Sequence, residues 1–362
     1  MMFRGIAKML ESTEYVPVLR WKRAEWTALR FLSEDVKARV LPLIEVPPSR
    51  LVRKKGETFV NMDECIAEIV KEVERSWGGR RFFLDMSLLD SPGGGRGLSA
   101  EALAMASKQC ESRSLNGIPV SGLGRDRTYQ GVVRKWAAKC GGACLRVNAE
   151  GIGSGTALAE VYGFANSVGL RKEDVHLVVD FGYLNAAISS YGQIWERIPD
   201  AESWANVVIC GGSFPVNLMG FVIGIQEVPR REWLAWRGQI PAAGWPRSPI
   251  YGDYTIQHPV FVEPPGKSNP SASIRYALEE SWLIFRGEGL RTSELGNAQY
   301  AGHAILLRDR EEYYGESFSY GDKYIWGVAE GGVNPGNPES WLRAGVNHHI
   351  TVVVRQIERL AG

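Results

Sequence analysis

Little in this sequence is in excess, and its shortages are informative. Lys and Arg number 42 against 41 Asp and Glu, a formal charge of +1, so no global field exists to hold a polyanion. Cysteine numbers only five, an odd count too small to staple 362 residues. Cys140 and Cys144 stand close together, but no second Cys pair or nearby His completes a zinc site. Cys65, Cys110 and Cys140 fall in helical patterns and Cys144 and Cys210 in apolar strands, which predicts core thiols in a reducing cytosol. The most apolar stretch, Val216–Ile225, is about half a membrane span. Met1–Ser12 lacks the apolar run of a signal peptide. The expectation is a cytoplasmic protein with no membrane partner.

Nucleotide fingerprints are missing as well. Ser91–Gly97 is glycine-rich but lacks the Gly-Lys-Ser/Thr ending of a Walker loop, and Gly151–Gly155 lacks dinucleotide spacing. Arg53–Lys55, Arg125 with Arg127, Arg230 with Arg231, and Trp233 and Trp236 with Arg237 supply local basic and aromatic groups, without a dedicated nucleic-acid motif. The Trp233–Trp236 spacing also suits a helix face packed on a core, which is the better expectation.

What is present is ordinary globular composition, 44% hydrophobic and 23% charged, arranged as an alternation. Apolar, β-branched runs at Tyr15–Lys22, Leu41–Pro48, Arg81–Asp85, Ile118–Gly122, Ala143–Asn148, Val175–Asp180, Ala205–Cys210 and Pro249–Tyr254 read as strands. Helical patterns follow at Glu25–Val40, Met62–Trp77, Ala100–Ser112 with Ser99 as N-cap, Thr128–Lys139, Ala157–Val168, Asn185–Arg197, Arg231–Arg237 and Ile274–Phe285. Eight such units over roughly 250 residues predict a (β/α)8 TIM-type barrel rather than an open sheet. The chain is then one domain, 1–362, with 287–362 as a mixed C-terminal extension in which Trp341–Leu360 is a final strand or helix.

Chemistry in such a barrel sits at the C-terminal ends of the strands. Those ends are Lys22, Glu45, Asp85, Arg125, Asn148, Asp180, Ser213 and Asp253, all polar and four of them carboxylates. Each alone could cap its own loop; together they predict one polar mouth. Clustered carboxylates need a compensating cation. Lys22 and Arg125 can supply it, or Glu45, Asp85, Asp180 and Asp253 can hold a divalent ion, Mg2+ or Mn2+ given oxygen ligands. A glycosidase pair is a third arrangement. His258 and His348 are the candidate proton carriers; His348 and His349 adjoin, so on a strand at most one enters the mouth. Gly211, Gly212 and Ser213, after the seventh strand, could offer backbone N–H groups to a phosphate.

Tyr15–Lys22 with Glu25, Ala28 and Leu29, then Val40–Glu45, resembles the opening of the phage "beta protein" family, of T-even phage type; Gly211–Pro215, Gly252–Tyr254 and Asn347–His349 resemble its later motifs. The resemblance implies an association with phages and mobile or defence-related loci, and it transfers no catalytic residue. Two functions follow as expectations. One is a hydrolase, metal-dependent if the carboxylates hold Mg2+ or Mn2+, acting on an anionic small molecule or nucleotide. In it Lys22, Glu45, Asp85, Asp180, Asp253, His258 and His348 would do the chemistry, while Arg125, Asn148 and Gly211–Ser213 bind substrate. The other is a non-catalytic scaffold for a protein partner in phage–host conflict.

Overall fold

Tyr15–Arg20 (β1) is buried along its whole length, as a strand covered on both faces must be, and pairs in parallel with Leu43–Glu45 (β2). The computed structural model describes residues 14–51, 61–90, 97–185, 191–198, 200–240, 247–262 and 268–361. Met1–Ser12, Arg53–Lys55, residues 91–96 of the glycine-rich run and residues 186–190 of one expected helix lie outside them.

Parallel pairing continues through Phe82–Asp85 (β3), Gly117–Gly122 (β4), Ala143–Asn148 (β5), Val175–Tyr183 (β6) and Asn206–Gly212 (β7). Gly224–Pro229 (β8) leaves this order. Ile250–Asp253 (β9) takes the eighth position and closes the barrel on β1, with Tyr15 opposite Tyr251. The fold is a closed (β/α)8 barrel. Alternate residues face its axis, where Val16, Val18, Leu43, Phe83, Val120, Cys144, Val178 and Val208 fill the interior.

Around the barrel lie Arg23–Arg30 (α1), the short Glu34–Lys37 (α2), Met62–Trp77 (α3), Leu98–Ser112 (α4) and Arg127–Cys140 (α5). Ala149–Ser154 (α6), Leu158–Val168 (α7), Tyr191–Glu196 (α8) and Arg231–Gln239 (α9) follow. Side-chain caps start α3, where Asn61 accepts from the Glu64 amide, and α5, where Asp126 accepts from the Thr128 and Tyr129 amides. Gly97, not Ser99, precedes α4; Ser99 sits inside the helix and donates to Asp90. Trp233 and Trp236 on α9 are buried, with rings 5.8 Å apart, and pack on Tyr251 as the helix-face spacing predicts. The five cysteines are unpaired thiols, but Cys140 is exposed and Cys65 half-buried, so only Cys110, Cys144 and Cys210 are core thiols.

The expected eighth helix, Ile274–Phe285, is instead an antiparallel hairpin of Ser271–Ala277 (β10) and Ser281–Gly289 (β11), which forms a second sheet with β8. In β10 the pattern has period 2: Ala272, Ile274 and Tyr276 are buried, while Ser271, Ser273 and Arg275 are half-buried. Gln299–Arg308 (α10) and Tyr320–Ala329 (α11) pack on this sheet around a separate small core that includes Ile274, Phe285, Tyr300 and Ile325. A boundary at 287 falls inside β11.

The last helix, Pro338–Ala361 (α12), lies against the barrel at β1, α1 and β9. Its Asn347 amide donates to the Ala28 carbonyl on α1 at 3.0 Å. The run Ile350–Val354 is β-branched, yet it is helical because these side chains are buried in the core. Helical geometry also decides the two histidines. His348 faces Asp322 on α11 at 2.8 Å and the Ala277 carbonyl at 2.8 Å, and His349 faces Asp253 on β9 at 2.8 Å.

Asp253 is therefore on the outer side of its strand, turned to α12 and away from the barrel axis. Its carboxylate accepts from Tyr15, from Tyr251 at 3.1 Å, from His349 and from the Thr255 amide at 2.8 Å. Burial alone would raise its pKa, but His349, the Tyr15 bond and Arg230 outweigh burial and hold the carboxyl below its usual range. Burial lowers the His349 pKa, against the pull of Asp253.

Both folded pKa values lie below their unfolded ones, so the stability they contribute is present at neutral pH. It falls as pH drops below the unfolded histidine value of about 6.5. Chemical denaturation is expected to show Asp253→Ala less stable by about 3–5 kcal/mol, because buried donors lose their acceptor. His349→Gln, which keeps a donor but does not titrate, should flatten the loss between about pH 7 and pH 5. An unchanged acid slope would show that His349 is not the titrating group.

Candidate active site at the barrel mouth

On β1, β2 and β3 the inward residues at the C-terminal end are Arg20, Glu45 and Asp85, which stand side by side in register. Two adjacent carboxylates on parallel strands repel, and both are buried. The compensation comes from across the barrel, from Arg146 on β5. Its Nη1 donates to Glu45 at 2.6 Å and reaches Asp85 at 3.4 Å, while Nη2 donates to Asp180 at 2.8 Å and Nε to the same oxygen at 3.0 Å. Tyr254, the inward neighbour of Asp253, accepts from Arg146 at 2.6 Å and donates to Asp180 at 2.5 Å.

One guanidinium thus joins three carboxylates and a phenol from four strand ends. Burial alone would disfavour its charge, but Tyr254 and the three carboxylates outweigh burial and hold the Arg146 pKa well above its ordinary value. Burial, the main cause, drives the Tyr254 pKa well above normal, so the phenol keeps its proton. Arg125, 28% exposed, reaches in from the loop after β4 to within 3.6 Å of Asp85. Gly122 makes room for it, since a Cβ there would stand 3.1 Å from Arg125 Nε and 3.2 Å from the Arg146 carbonyl. The remaining oxygens of the two aspartates are tied by their own turns, Asp85 to the Ser87 amide at 2.9 Å and Asp180 to the Gly182 amide at 2.8 Å. Glu45 Oε2 is buried and accepts no hydrogen bond.

Above this floor opens a cavity of about 680 Å3, with Glu45, Arg125, Arg146, Asn148 and Asp180 on its polar side and Pro48, Leu88, Val260 and Phe261 on its apolar side. Val260 and Phe261 belong to the segment after β9. Arg20 holds it by donating to the His258 and Pro259 carbonyls at 2.7 and 2.6 Å, and Glu25 holds it by accepting from Gln257. Burial raises the Glu25 pKa to about 7.

Of the residues expected in the mouth, Glu45, Asp85, Asp180, Arg125 and Asn148 line or floor the cavity. Lys22 precedes α1 at the rim, its Nζ 5.0 Å from the Phe261 ring. His258 is also at the rim, its ring 4.5 Å from Tyr183 and its Nδ1 accepting from the Val260 amide; burial lowers its pKa. Asp253 and His348 are not brought to this site, for the reasons of strand parity and helix geometry above. Gly211, Gly212 and Ser213 are not open to an anion. Gly212 packs on Pro259 and Tyr254, Gly211 stands against Tyr191, and Ser213 donates to the Glu232 carboxylate at 2.6 Å while accepting from the Arg231 amide. Among the described residues no group of three His, Cys, Asp or Glu is placed to hold a metal ion, because Arg146 occupies the space between the carboxylates.

Arg146 escapes a reading confined to strand ends, and Arg20 and Tyr254 escape it because Lys22 and Asp253 are taken as the ends of their strands. Their signal is parity: Arg146 is a charged residue two positions before the end of an apolar strand, on the same side as the strand-end Asn148.

Arg146→Met is expected to lower stability by about 3–5 kcal/mol in chemical denaturation, since it leaves buried carboxylates uncompensated. Adding Asp180→Asn should recover part of that loss; strictly additive effects would contradict the coupling. Stability should also decline as pH rises through about 7, where folded Glu25 ionises, and Glu25→Gln should remove that decline while keeping the Gln257 bond.

The chain is similar to several known proteins. A curated relative, "Protein beta" of Enterobacteria phage P4, is 26% identical over 380 residues, spanning 97% of this chain and 95% of its own. Among solved structures, a D-psicose 3-epimerase crystallised with D-fructose is similar over 70% of this chain and 87% of its own, at 13% identity and a TM-score of 0.33. SacUVDE is similar over 68% and 93%, at 10% identity and a TM-score of 0.30. No helix among the described residues is long and apolar enough to cross a membrane. A family profile described as "Beta protein" matches residues 15–355, almost the whole chain, and the chain belongs to the Beta protein family.

Proposed function

We propose that the barrel mouth binds a phosphate-bearing, nucleotide-like small molecule and hydrolyses it, with Arg146 rather than a divalent ion holding the carboxylates. The observation that carries this reading is the convergence of Glu45, Asp85 and Asp180 on Arg146 beneath an open cavity. Filling the strand ends with apolar side chains, as deeper in the same barrel, would cost less than desolvating these charges. Arg20, Arg125 and Arg146 stand among the three carboxylates, so guanidinium groups reach the mouth from three parts of the chain. Arg125, the more exposed of the two cavity arginines, receives the phosphate. Glu45, which lines the cavity, takes a proton from water as the water oxygen bonds to phosphorus and the P–O bond to the leaving group breaks. The leaving oxygen is protonated from solvent at the open rim.

A panel of nucleotides and p-nitrophenyl phosphate esters tests the reading. Some member should raise the melting temperature and be cleaved, and Glu45→Gln should slow cleavage by about 100-fold or more with folding retained. Arg125→Ala should weaken binding by about tenfold or more. If nothing on the panel binds or is cleaved, the enzymatic reading falls. The barrel would then serve as a non-catalytic scaffold for a protein partner in phage–host conflict.

A further inference from the structure

A second cavity, of about 490 Å3, opens beside the first, and Asn148 lines both. Asn148 ends β5 in register with Asp180, so the two cavities meet where the polar floor of the mouth comes to the surface. The Asn148 Oδ1 accepts from the Glu150 amide at 2.7 Å. That bond fixes the side chain and leaves its NH2 without a partner among the described residues.

The rest of the second cavity carries an aromatic ring, a carboxamide and a guanidinium, with the Glu150 carboxylate also on its lining. Phe181 is half-buried on Tyr191, ring centroids 4.4 Å apart, and lines the cavity. Gln193 is exposed on α8, and its carboxamide has no partner among the described residues. Arg197 is held by a single bond to the Gly153 carbonyl and keeps further N–H donors for an anion. An aromatic face, carboxamides and a guanidinium are the groups that recognise a base and its phosphate in single-stranded nucleic acid. The mouth repeats that combination, with Phe261 on its apolar wall and Arg125 on its polar side.

We infer that the two cavities are consecutive subsites of one trough, so that the ligand is two nucleotide units joined by a phosphodiester rather than a single nucleotide. This rests on the nucleotide reading of the mouth and adds ligand length to it. The mouth takes one unit on Arg125 and Phe261, the linking phosphate passes Asn148, and the second unit lies on Phe181 within reach of Gln193 and Arg197.

Calorimetric titration with deoxyadenosine 5′-monophosphate and with the 5′-phosphorylated dinucleotide pdApdA, at one fixed salt concentration, tests it. The dinucleotide should bind about tenfold tighter or more. Arg197→Ala and Gln193→Ala, both at exposed positions, should each bring the dinucleotide down towards the affinity of the mononucleotide. Equal affinity for the two probes, or variants that leave the advantage intact, would overturn the two-subsite trough while the mouth reading stands. Absence of binding by either probe would remove the mouth reading and this inference together.

Discussion

Arg146 is the constraint around which the upper end of this barrel is arranged. Glu45 and Asp85 are neighbours in register on parallel strands, and Asp180 faces them from across the axis. Three carboxylates at that separation in a partly dry interior need an opposing charge. A guanidinium answers the need better than an ammonium, because its planar fork donates in several directions at once. It bonds Glu45 on one side and Asp180 and Tyr254 on the other. The arrangement specifies where each strand end stands, and leaves Glu45 Oε2 as a buried acceptor with no donor. Glu45 and the half-buried Arg125 are members of the network that line the cavity.

A second polar hub lies on the other side of the same wall. Asp253 and Tyr254 are consecutive, yet strand alternation sends them to different environments. Tyr254 joins the mouth, and Asp253 joins Tyr15, Tyr251 and His349 between the barrel and α12. α12 supplies the outer helix that covers the seam between β9 and β1, while the small β8–β10–β11 sheet and its helices are attached nearby. The carboxylate of Asp253 is thus spent on closing the barrel, and the mouth works with three acidic groups.

The barrel was legible because its strands are buried on both faces and read as apolar runs, a pattern that β10 does not share. That hairpin was missed because Ala272, Ile274 and Tyr276 alternate over too few residues to be separated from a short helical pattern without their sheet partners. The site was legible in outline, since Glu45, Asp85 and Asp180 end their strands and face inward. Its compensating cation was not, because Arg146 lies two residues short of its strand end and only closure of the barrel brings it to Glu45, 101 positions away in sequence. Asp253 shared the strand-end signal, but the strand-end rule does not say which face the residue occupies. His348 and His349 were ambiguous for a related reason: the β-branched run after them has strand propensity, and burial against the core makes it a helix.

The central claim is that Arg146, and not a divalent cation, balances the mouth carboxylates. Titration of the wild-type protein with Mn2+, followed by electron paramagnetic resonance, tests it most directly. The account predicts no saturable Mn2+ site that depends on Glu45, Asp85 or Asp180. A stoichiometric site that disappears in Asp180→Asn, in a protein that remains folded, would contradict it.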